Sequence, residues 1–224
     1  FFSYKKIQAV KEVSFSIKRF ENFGIIGESG CGKSTLSRLL SNLESPDEGW
    51  IKFNNKKISG LKNKEILETR KKFQLLLQDP YGCIPNHKSI YNIVSEPLII
   101  HGEKNKNIIN QKVKKVIEEV GLNFDIVNSL PSGLSAGQRQ RVNIARALIL
   151  EPELLILDET LSSLDQVEQA KLLKLFQDLQ NRYEITYVFI SHDLTMVRKV
   201  CNRIAVMYLG RIVELAENDT LYNN

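Results

Sequence analysis

The most restrictive feature of the sequence is a glycine-rich octapeptide, Gly27–Ser34, that reads Gly-Glu-Ser-Gly-Cys-Gly-Lys-Ser. The segment before it, Phe23–Ile26, is short and apolar and predicts a strand, and Lys33–Leu43 after it has apolar residues at helical spacing. The octapeptide matches the pattern G-x-x-x-x-G-K-[ST], whose backbone N–H groups surround phosphate oxygens at a helix N-terminus. The predicted phosphate-binding residues are Gly27, Glu28, Ser29, Gly30, Cys31, Gly32, Lys33, Ser34 and Thr35.

Two residues of this loop carry specific chemistry. The Lys33 ammonium is expected to reach the β- and γ-phosphates of a nucleotide, and the Ser34 hydroxyl is expected to bind Mg²⁺. The loop therefore predicts a nucleotide with a γ-phosphate and Mg²⁺ as the ligands. A chance glycine-rich turn is the alternative, and the strand before the loop and the helix after it argue against that alternative.

A second acidic pattern lies far along the chain. Leu154–Leu157 is an apolar run that predicts a buried strand, and Asp158 and Glu159 follow it directly. Ligands of open parallel sheets bind at the carboxyl ends of the strands, where these two carboxylates emerge. Asp158 suits a contact to Mg²⁺ through water, and Glu159 suits the general base that polarises an attacking water. The alternative is a pair of acidic residues that cap a strand in solvent.

The remaining pattern predicts an α/β protein with a largely parallel sheet, because helices alternate with apolar strands. We expect a single domain over residues 1–224, in which residues 78–147 are mostly helical and form an inserted subdomain. Val13–Ile17 alternates apolar and polar residues, which predicts a strand. Further strands are predicted at Trp50–Phe53, Phe73–Leu77 and Ile185–Ile190, and helices at Glu65–Arg70, Lys112–Val120, Ala136–Leu150, Gln166–Asn181 and Leu194–Val200.

Composition excludes several classes of protein. The three cysteines are far apart in the sequence, so we expect neither a disulfide framework nor a structural zinc site. No apolar run approaches the roughly 20 residues that span a bilayer. The formal net charge is +5, but the basic residues are scattered, so we expect no nucleic-acid partner.

One segment is more specific than the two phosphate-site motifs. Leu134–Arg141 reads Leu-Ser-Ala-Gly-Gln-Arg-Gln-Arg and closely resembles the signature of ABC ATPases, which is usually Leu-Ser-Gly-Gly-Gln. Ile144–Leu148, which reads Ile-Ala-Arg-Ala-Leu, is similar to the sequence that often follows the signature in this family. Alanine replaces the commonest residue, glycine, and its methyl group would crowd a phosphate if the backbone there required a positive φ. The resemblance implies that four residues contact nucleotide: Ser135, Ala136, Gly137 and Gln138.

The resemblance implies further roles across almost the whole chain. Gln78 resembles the glutamine that contacts Mg²⁺ and the attacking water, and His192 resembles the histidine that holds the γ-phosphate. Asp165, in Ser163-Leu-Asp165, resembles the aspartate that lies along the seam between two ATPase subunits. Tyr4 resembles the aromatic residue that stacks on adenine, although a surface tyrosine is the alternative. Phe20 lies in a turn where many relatives have glycine.

The implied fold is a P-loop NTPase core of the RecA-like type, with a mainly parallel sheet, an N-terminal antiparallel β subdomain and an inserted α-helical subdomain. Gln78–Tyr81 and Glu96–Leu98 resemble the oligopeptide, dipeptide and nickel importer group, from which Pro85-Asn86 departs in residue order. The implied function is ATP hydrolysis coupled to uptake of peptides, nickel or a metal–metallophore complex. The implied partners are a second ABC ATPase subunit, two membrane permease subunits and, indirectly, an extracellular substrate-binding protein, with the chain peripheral on the cytoplasmic face of the cell membrane.

Two other functions are compatible with a nucleotide site. A soluble ABC ATPase of DNA repair, chromosome organisation or translation usually carries a coiled coil, a zinc module or a second nucleotide domain, and the spacing from Lys33 to Asp158 leaves no room for a coiled coil. A non-catalytic regulatory module is the other alternative, and the presence of Glu159 and His192 argues against it.

Overall fold

The computed structural model describes residues 8–61, 64–77, 79, 82–162 and 164–223. Three residues singled out from the sequence, Tyr4, Gln78 and Ser163, lie outside this described part.

A mainly parallel sheet forms the centre of the protein. The strands are Asn22–Ile26 (β1), Lys52–Phe53 (β2), Lys56–Lys57 (β3), Phe73–Leu76 (β4), Leu154–Asp158 (β5), Thr186–Ser191 (β6), Arg203–Tyr208 (β7) and Arg211–Glu217 (β8). The strand order of the central sheet is β4-β5-β6-β1-β7-β8, and every neighbouring pair is parallel except β7 and β8. Strand β6 is buried along its whole length, as expected for a strand covered on both faces.

Helices connect the parallel strands, and polar N-caps mark where several of them begin. The side chains of Ser135, Asp165 and Asp193 each accept backbone N–H bonds from the first turn that follows. The helices are Lys33–Leu40 (α1), Lys64–Lys72 (α2), Ile90–Ile100 (α3), Lys106–Glu119 (α4), Ala136–Leu148 (α5), Gln166–Tyr183 (α6), Leu194–Val200 (α7) and Asn218–Asn223 (α8).

Helices α3, α4 and α5 lie between β4 and β5 in the chain, in the stretch predicted to be mostly helical. Their apolar faces join the larger core cluster through residues such as Ile93, Val113 and Ile144. Helix α3 was not predicted individually. It contains Pro97, which normally disfavours a helix interior, and Ser89 caps its N-terminus by accepting the Asn92 N–H at 3.3 Å.

The predicted strand at Val13–Ile17 is wrong, because these residues belong to no β-ladder of the described part. The alternation nevertheless has a physical cause. The side chains of Val13, Phe15 and Ile17 pack against the smaller core cluster, while Ser14 and Ser16 are exposed. The alternation of apolar and polar residues therefore indicates an extended segment that is buried on one side. It does not show whether that segment pairs with another strand.

The N-terminal antiparallel part that the structure describes is the hairpin of β2 and β3. Its turn residues, Asn54 and Asn55, have φ values of 47° and 62°. Two positive φ values are typical of the tight type I′ turn, for which asparagine is well suited. The strand predicted at Trp50–Phe53 is shorter than expected, since only its final two residues pair.

The turn at Phe20 has a backbone conformation that favours glycine. Phe20 has a φ of 62°, a left-handed conformation that is rare for a bulky residue. Its N–H donates to Thr186 Oγ1 at 2.9 Å, which fixes the turn on the first residue of β6. The ring is exposed, and the Arg19 guanidinium carbon lies 5.3 Å from its centroid, which is a cation–π contact at the surface.

Candidate functional site

The phosphate loop joins the carboxyl end of β1 to the N-terminus of α1, as predicted. A β-carbon at Gly27 would overlap the carbonyl oxygen of Met207 on β7, and one at Gly32, whose φ is 109°, would overlap the carbonyl oxygen of Ala9. The Gly210 N–H also donates to the Cys31 carbonyl at 2.9 Å. The loop can therefore lie flat against its neighbours only because these two positions have no side chain.

Lys33 points back into the loop that precedes it. Its ammonium donates to the carbonyl oxygens of Gly27 at 2.7 Å and Glu28 at 2.9 Å, and the residue is only 5% exposed. These two bonds hold a buried positive charge at the concave side of the loop. The N-terminus of α1 adds a positive dipole end at the same place, so the loop is suited to bind a polyanion.

Asp158 lies at the carboxyl end of β5 and contacts α1. It is 6% exposed, and Ser37 Oγ donates to its Oδ2 at 2.7 Å. Burial raises the pKa of Asp158 above its ordinary value, although the Ser37 hydrogen bond and the Lys33 ammonium act in the opposite direction. The sequence analysis did not identify Ser37, since its contact with Asp158 joins residues 121 positions apart.

The residues present fit Mg²⁺. Ser34 and Ser37 are three apart on α1 and therefore share one face of the helix, and Ser37 contacts the Asp158 carboxylate. Oxygen donors of this kind suit Mg²⁺, which is usually held by one or two carboxylates together with substrate phosphates. Among the described residues, no three His, Cys, Asp or Glu side chains form a group that could hold a metal ion without such phosphates.

Glu159 and His192 meet at the ends of the neighbouring strands β5 and β6. His192 Nδ1 lies 3.4 Å from Glu159 Oε1. Glu159 has a left-handed φ of 49°, which its N–H bond to the Ile190 carbonyl at 2.9 Å helps to maintain. Such a strained residue beside a second polar group is typical of functional sites. The two residues that the sequence analysis assigned to the γ-phosphate side are thus brought together.

The signature segment begins helix α5. Ser135 Oγ accepts the Gln138 N–H at 3.2 Å, and Gln138 Oε1 accepts the Ser135 N–H at 3.0 Å, which forms a complete capping box. Ala136 is the first residue of the helix and has no positive φ, so the crowding considered from the sequence does not arise. A β-carbon at Gly137 would lie 2.8 Å from Glu168 Oε2, which shows how closely α6 approaches the signature.

Asp165 has a structural role that the sequence analysis missed. Its carboxylate caps α6 by accepting the N–H groups of Val167 at 2.9 Å and Glu168 at 3.0 Å. The available signal was an aspartate directly before a helical pattern. Among the residues that the structure describes, no hydrogen bond or ion pair joins residues 135–138 or Asp165 to residues 27–35. The structure therefore brings Glu159 into contact with His192, directly after Asp158, and the nearby Lys33 ammonium acts to lower the Asp158 pKa.

A family model described as ABC transporter matches residues 10–162. The chain belongs to the ABC transporter family. It is 43% identical to the oligopeptide transport ATP-binding protein AppF of Bacillus subtilis, over 97% of this chain and 67% of that protein. It is 43% identical to OppF of the same organism, over 97% and 72%, and 38% identical to the di/tripeptide transport ATP-binding protein DppF of Pseudomonas aeruginosa, over 100% and 69%.

Solved ABC structures share the fold. The chain aligns with cbiO1 of Clostridium perfringens, part of the cbiONQ transporter complex, at a TM-score of 0.86 and 30% identity, covering 96% of this chain and 84% of that one. It aligns with MJ0796, a dimeric cassette in a post-hydrolysis state bound to ADP and Pi, at 0.85 and 28% identity, covering 96% and 94%. The ABC ATPase is thus an ATP-hydrolysing enzyme with a P-loop NTPase fold, and the soluble repair or translation alternative is not favoured. No helix in the described residues is both long and apolar enough to cross a bilayer.

Proposed function

We propose that this ABC ATPase powers a peptide importer as one of its two nucleotide-binding subunits. The observation that carries the proposal is the site at the carboxyl ends of β1, β5 and β6, where Lys33 and Asp158 are buried and Glu159 contacts the exposed His192. The relatives of the chain are named for oligopeptide and dipeptide transport. The relatives reported above are named for peptides and not for nickel or metallophores. We therefore propose peptides as the cargo.

At the phosphate loop, the backbone N–H groups and the Lys33 ammonium bind the β- and γ-phosphates. The Ser34 hydroxyl and the Asp158 carboxylate would hold Mg²⁺, and the resemblance adds Gln78. When bound, Mg²⁺ neutralises the charge on the phosphate oxygens. The Glu159 carboxylate orients the attacking water and accepts its proton as the general base. His192 contacts the γ-phosphate and also holds the Glu159 carboxylate in position. Tyr4 stacks on the adenine ring.

The signature acts on the nucleotide of a second subunit, in a homodimer or heterodimer with a two-fold or pseudo-two-fold axis. Two observations support this arrangement. Among the residues that the structure describes, no hydrogen bond or ion pair joins residues 135–138 or Asp165 to the chain's own phosphate loop, and MJ0796 is described as dimeric. The residues proposed to reach across the interface are Ser135, Ala136, Gly137, Gln138 and Asp165. ATP binding closes the pair, and hydrolysis reopens it.

The closing motion is transmitted to two permease subunits. We propose that residues 78–147 move as a helical subdomain within the single domain 1–224 and contact the permeases, while an extracellular binding protein delivers peptide from the other side. The chain then works as a peripheral protein on the cytoplasmic face of the cell membrane. Mg²⁺ and ATP are its cofactors.

The first prediction concerns Lys33→Ala, which removes the cation beside the phosphates. We expect the affinity for MgATP to fall on the order of 10-fold or more. Calorimetric titration measures this change, and Lys57→Ala is the matched control because Lys57 is an exposed lysine on β3. An affinity equal to that of the control would contradict the assignment of the phosphate loop.

The cargo is tested in vesicles that contain the ATPase pair, its co-expressed permeases and the binding protein. Oligopeptide is expected to stimulate ATP hydrolysis and to accumulate in the compartment that contains the ATPases, and the Lys33→Ala variant should do neither. Stimulation by nickel salts in place of peptide would overturn the peptide proposal while leaving the ATPase assignment intact.

A further inference from the structure

Ser37 is buried on the face of α1 that contacts the acidic strand end. It is 0% exposed and lies one helical turn after Ser34. Its hydroxyl oxygen is 2.7 Å from Asp158 Oδ2 and 2.9 Å from the Ser34 carbonyl oxygen, and it is the donor in both contacts. This one hydroxyl therefore contacts two of the residues that the proposed function assigns to Mg²⁺, Ser34 and Asp158.

A serine hydroxyl has one proton, so it can donate fully to only one of these two oxygens at a time. The ionised carboxylate is the stronger acceptor, and the distance to it is the shorter. The Ser34 carbonyl also accepts hydrogen bonds as part of α1, whereas a buried carboxylate without a donor would be costly. We therefore expect the proton to lie mainly toward Asp158.

The Asp158 carboxylate has few other donors. In the described part of the chain, the recorded side-chain hydrogen bond to it comes from Ser37 alone, and the Lys33 ammonium is bound to loop carbonyls instead. The Ser37 bond to Oδ2 therefore limits rotation of the carboxylate and leaves further acceptor positions for a cation. A carboxylate without this bond would be free to rotate about its terminal torsion, which is broad for aspartate.

We propose that Ser37 is a positioning residue of the Mg²⁺ site, which holds the Asp158 carboxylate in the orientation that the cation requires. The inference rests on the proposed function of Ser34 and Asp158. Ser37 itself touches neither nucleotide nor cation. Removal of a residue that hydrogen-bonds to a metal ligand commonly lowers metal affinity by 10- to 100-fold.

The test compares Ser37→Ala with Ser41→Ala in the complete chain. Ser41 is also buried, at the end of the same helix, and its hydroxyl donates to the Arg38 carbonyl at 3.1 Å without any contact to Asp158. Binding of a non-hydrolysable ATP analogue is measured by calorimetry, first in EDTA and then across a Mg²⁺ titration. Hydrolysis does not enter this measurement.

For Ser37→Ala we expect the half-saturating Mg²⁺ concentration to rise on the order of 10-fold, with less than about a 2-fold change in affinity in EDTA. Ser41→Ala should change neither value. Ser37→Thr, which keeps the hydroxyl, should return the Mg²⁺ dependence toward that of the unsubstituted chain. An unchanged Mg²⁺ dependence in Ser37→Ala, or an equal loss of affinity in EDTA, would overturn the inference.

Asp158→Asn distinguishes the failure of this inference from the failure of the proposed function. If Asp158→Asn raises the half-saturating Mg²⁺ concentration and Ser37→Ala does not, then only the positioning role of Ser37 is wrong. If neither variant changes it, the assignment of Asp158 to the cation is wrong, and the inference is overturned with it.

Discussion

Replacement of Glu159 by glutamine is expected to reduce steady-state ATP hydrolysis on the order of 10²-fold or more, with little change in ATP affinity. The carboxylate faces His192 at 3.4 Å, whereas the phosphate loop is held by separate contacts of Lys33. Glutamine has nearly the same shape but cannot accept the proton of an attacking water. Removal of a positioned general base typically costs 10²- to 10⁴-fold in rate.

The measurement is ATP turnover by the ATPase pair with its permeases, alongside calorimetric affinity for each variant. Glu184→Gln is the matched control, because Glu184 also has a left-handed φ, 56°, but is exposed at the end of α6. The control separates the loss of a base from any general effect of the substitution at a strained glutamate. Turnover unchanged in Glu159→Gln would show that Glu159 is not the base.

Replacement of Gly137 by aspartate is expected to abolish ATP-driven dimer closure and turnover, while the isolated chain keeps its ATP affinity. Gly137 lies in the first turn of α5, where backbone N–H groups favour an anion. In the proposed pair, the inserted carboxylate would face the γ-phosphate bound to the other subunit, which is a like-charge contact in a poorly hydrated interface. The chain's own phosphate loop is untouched.

Gly137→Ala is the control that separates charge from volume at this position. Gly137→Ala adds only the β-carbon, which would lie 2.8 Å from Glu168 Oε2, at the flexible end of a side chain that can move aside. We therefore expect the Gly137→Ala chain to form the ATP-dependent dimer more readily than the Gly137→Asp chain, as measured on a sizing column.

A collapse of ATP affinity in monomeric Gly137→Asp would assign the signature to the chain's own site. Mixtures of Gly137→Asp with Lys33→Ala should recover at most one working site per pair.

The phosphate loop and the acidic strand end could be predicted because each is set by neighbours in sequence. A strand, a glycine-rich turn and a lysine at fixed spacing specify Gly27–Ser34, and four apolar residues place Asp158 and Glu159 at a strand end. Helix α7 was predicted with its observed bounds, Leu194–Val200. In each case, local spacing and burial point to the same structure.

Contacts between distant segments could not be predicted in the same way. Nothing local links Ser37 to Asp158, or Gly137 to Glu168, because both contacts depend on how helices pack after the chain folds. The end of α1 was also misjudged. Its apolar spacing continues to Leu43, but Asn42 takes a left-handed φ of 52°, and the helix ends at Leu40.

The packing of the phosphate loop against β7 determines when its supporting contacts can form during synthesis of the chain. Gly27 lies so close to the Met207 carbonyl that a β-carbon would overlap it. The Gly210 N–H donates to the Cys31 carbonyl, and the Gly210 carbonyl accepts the Lys11 N–H at 2.7 Å. A nascent chain therefore contains every residue of the loop long before it contains the backbone that supports it. The backbone contacts between the loop and the turn at Gly210 can therefore form only after that turn has left the ribosome.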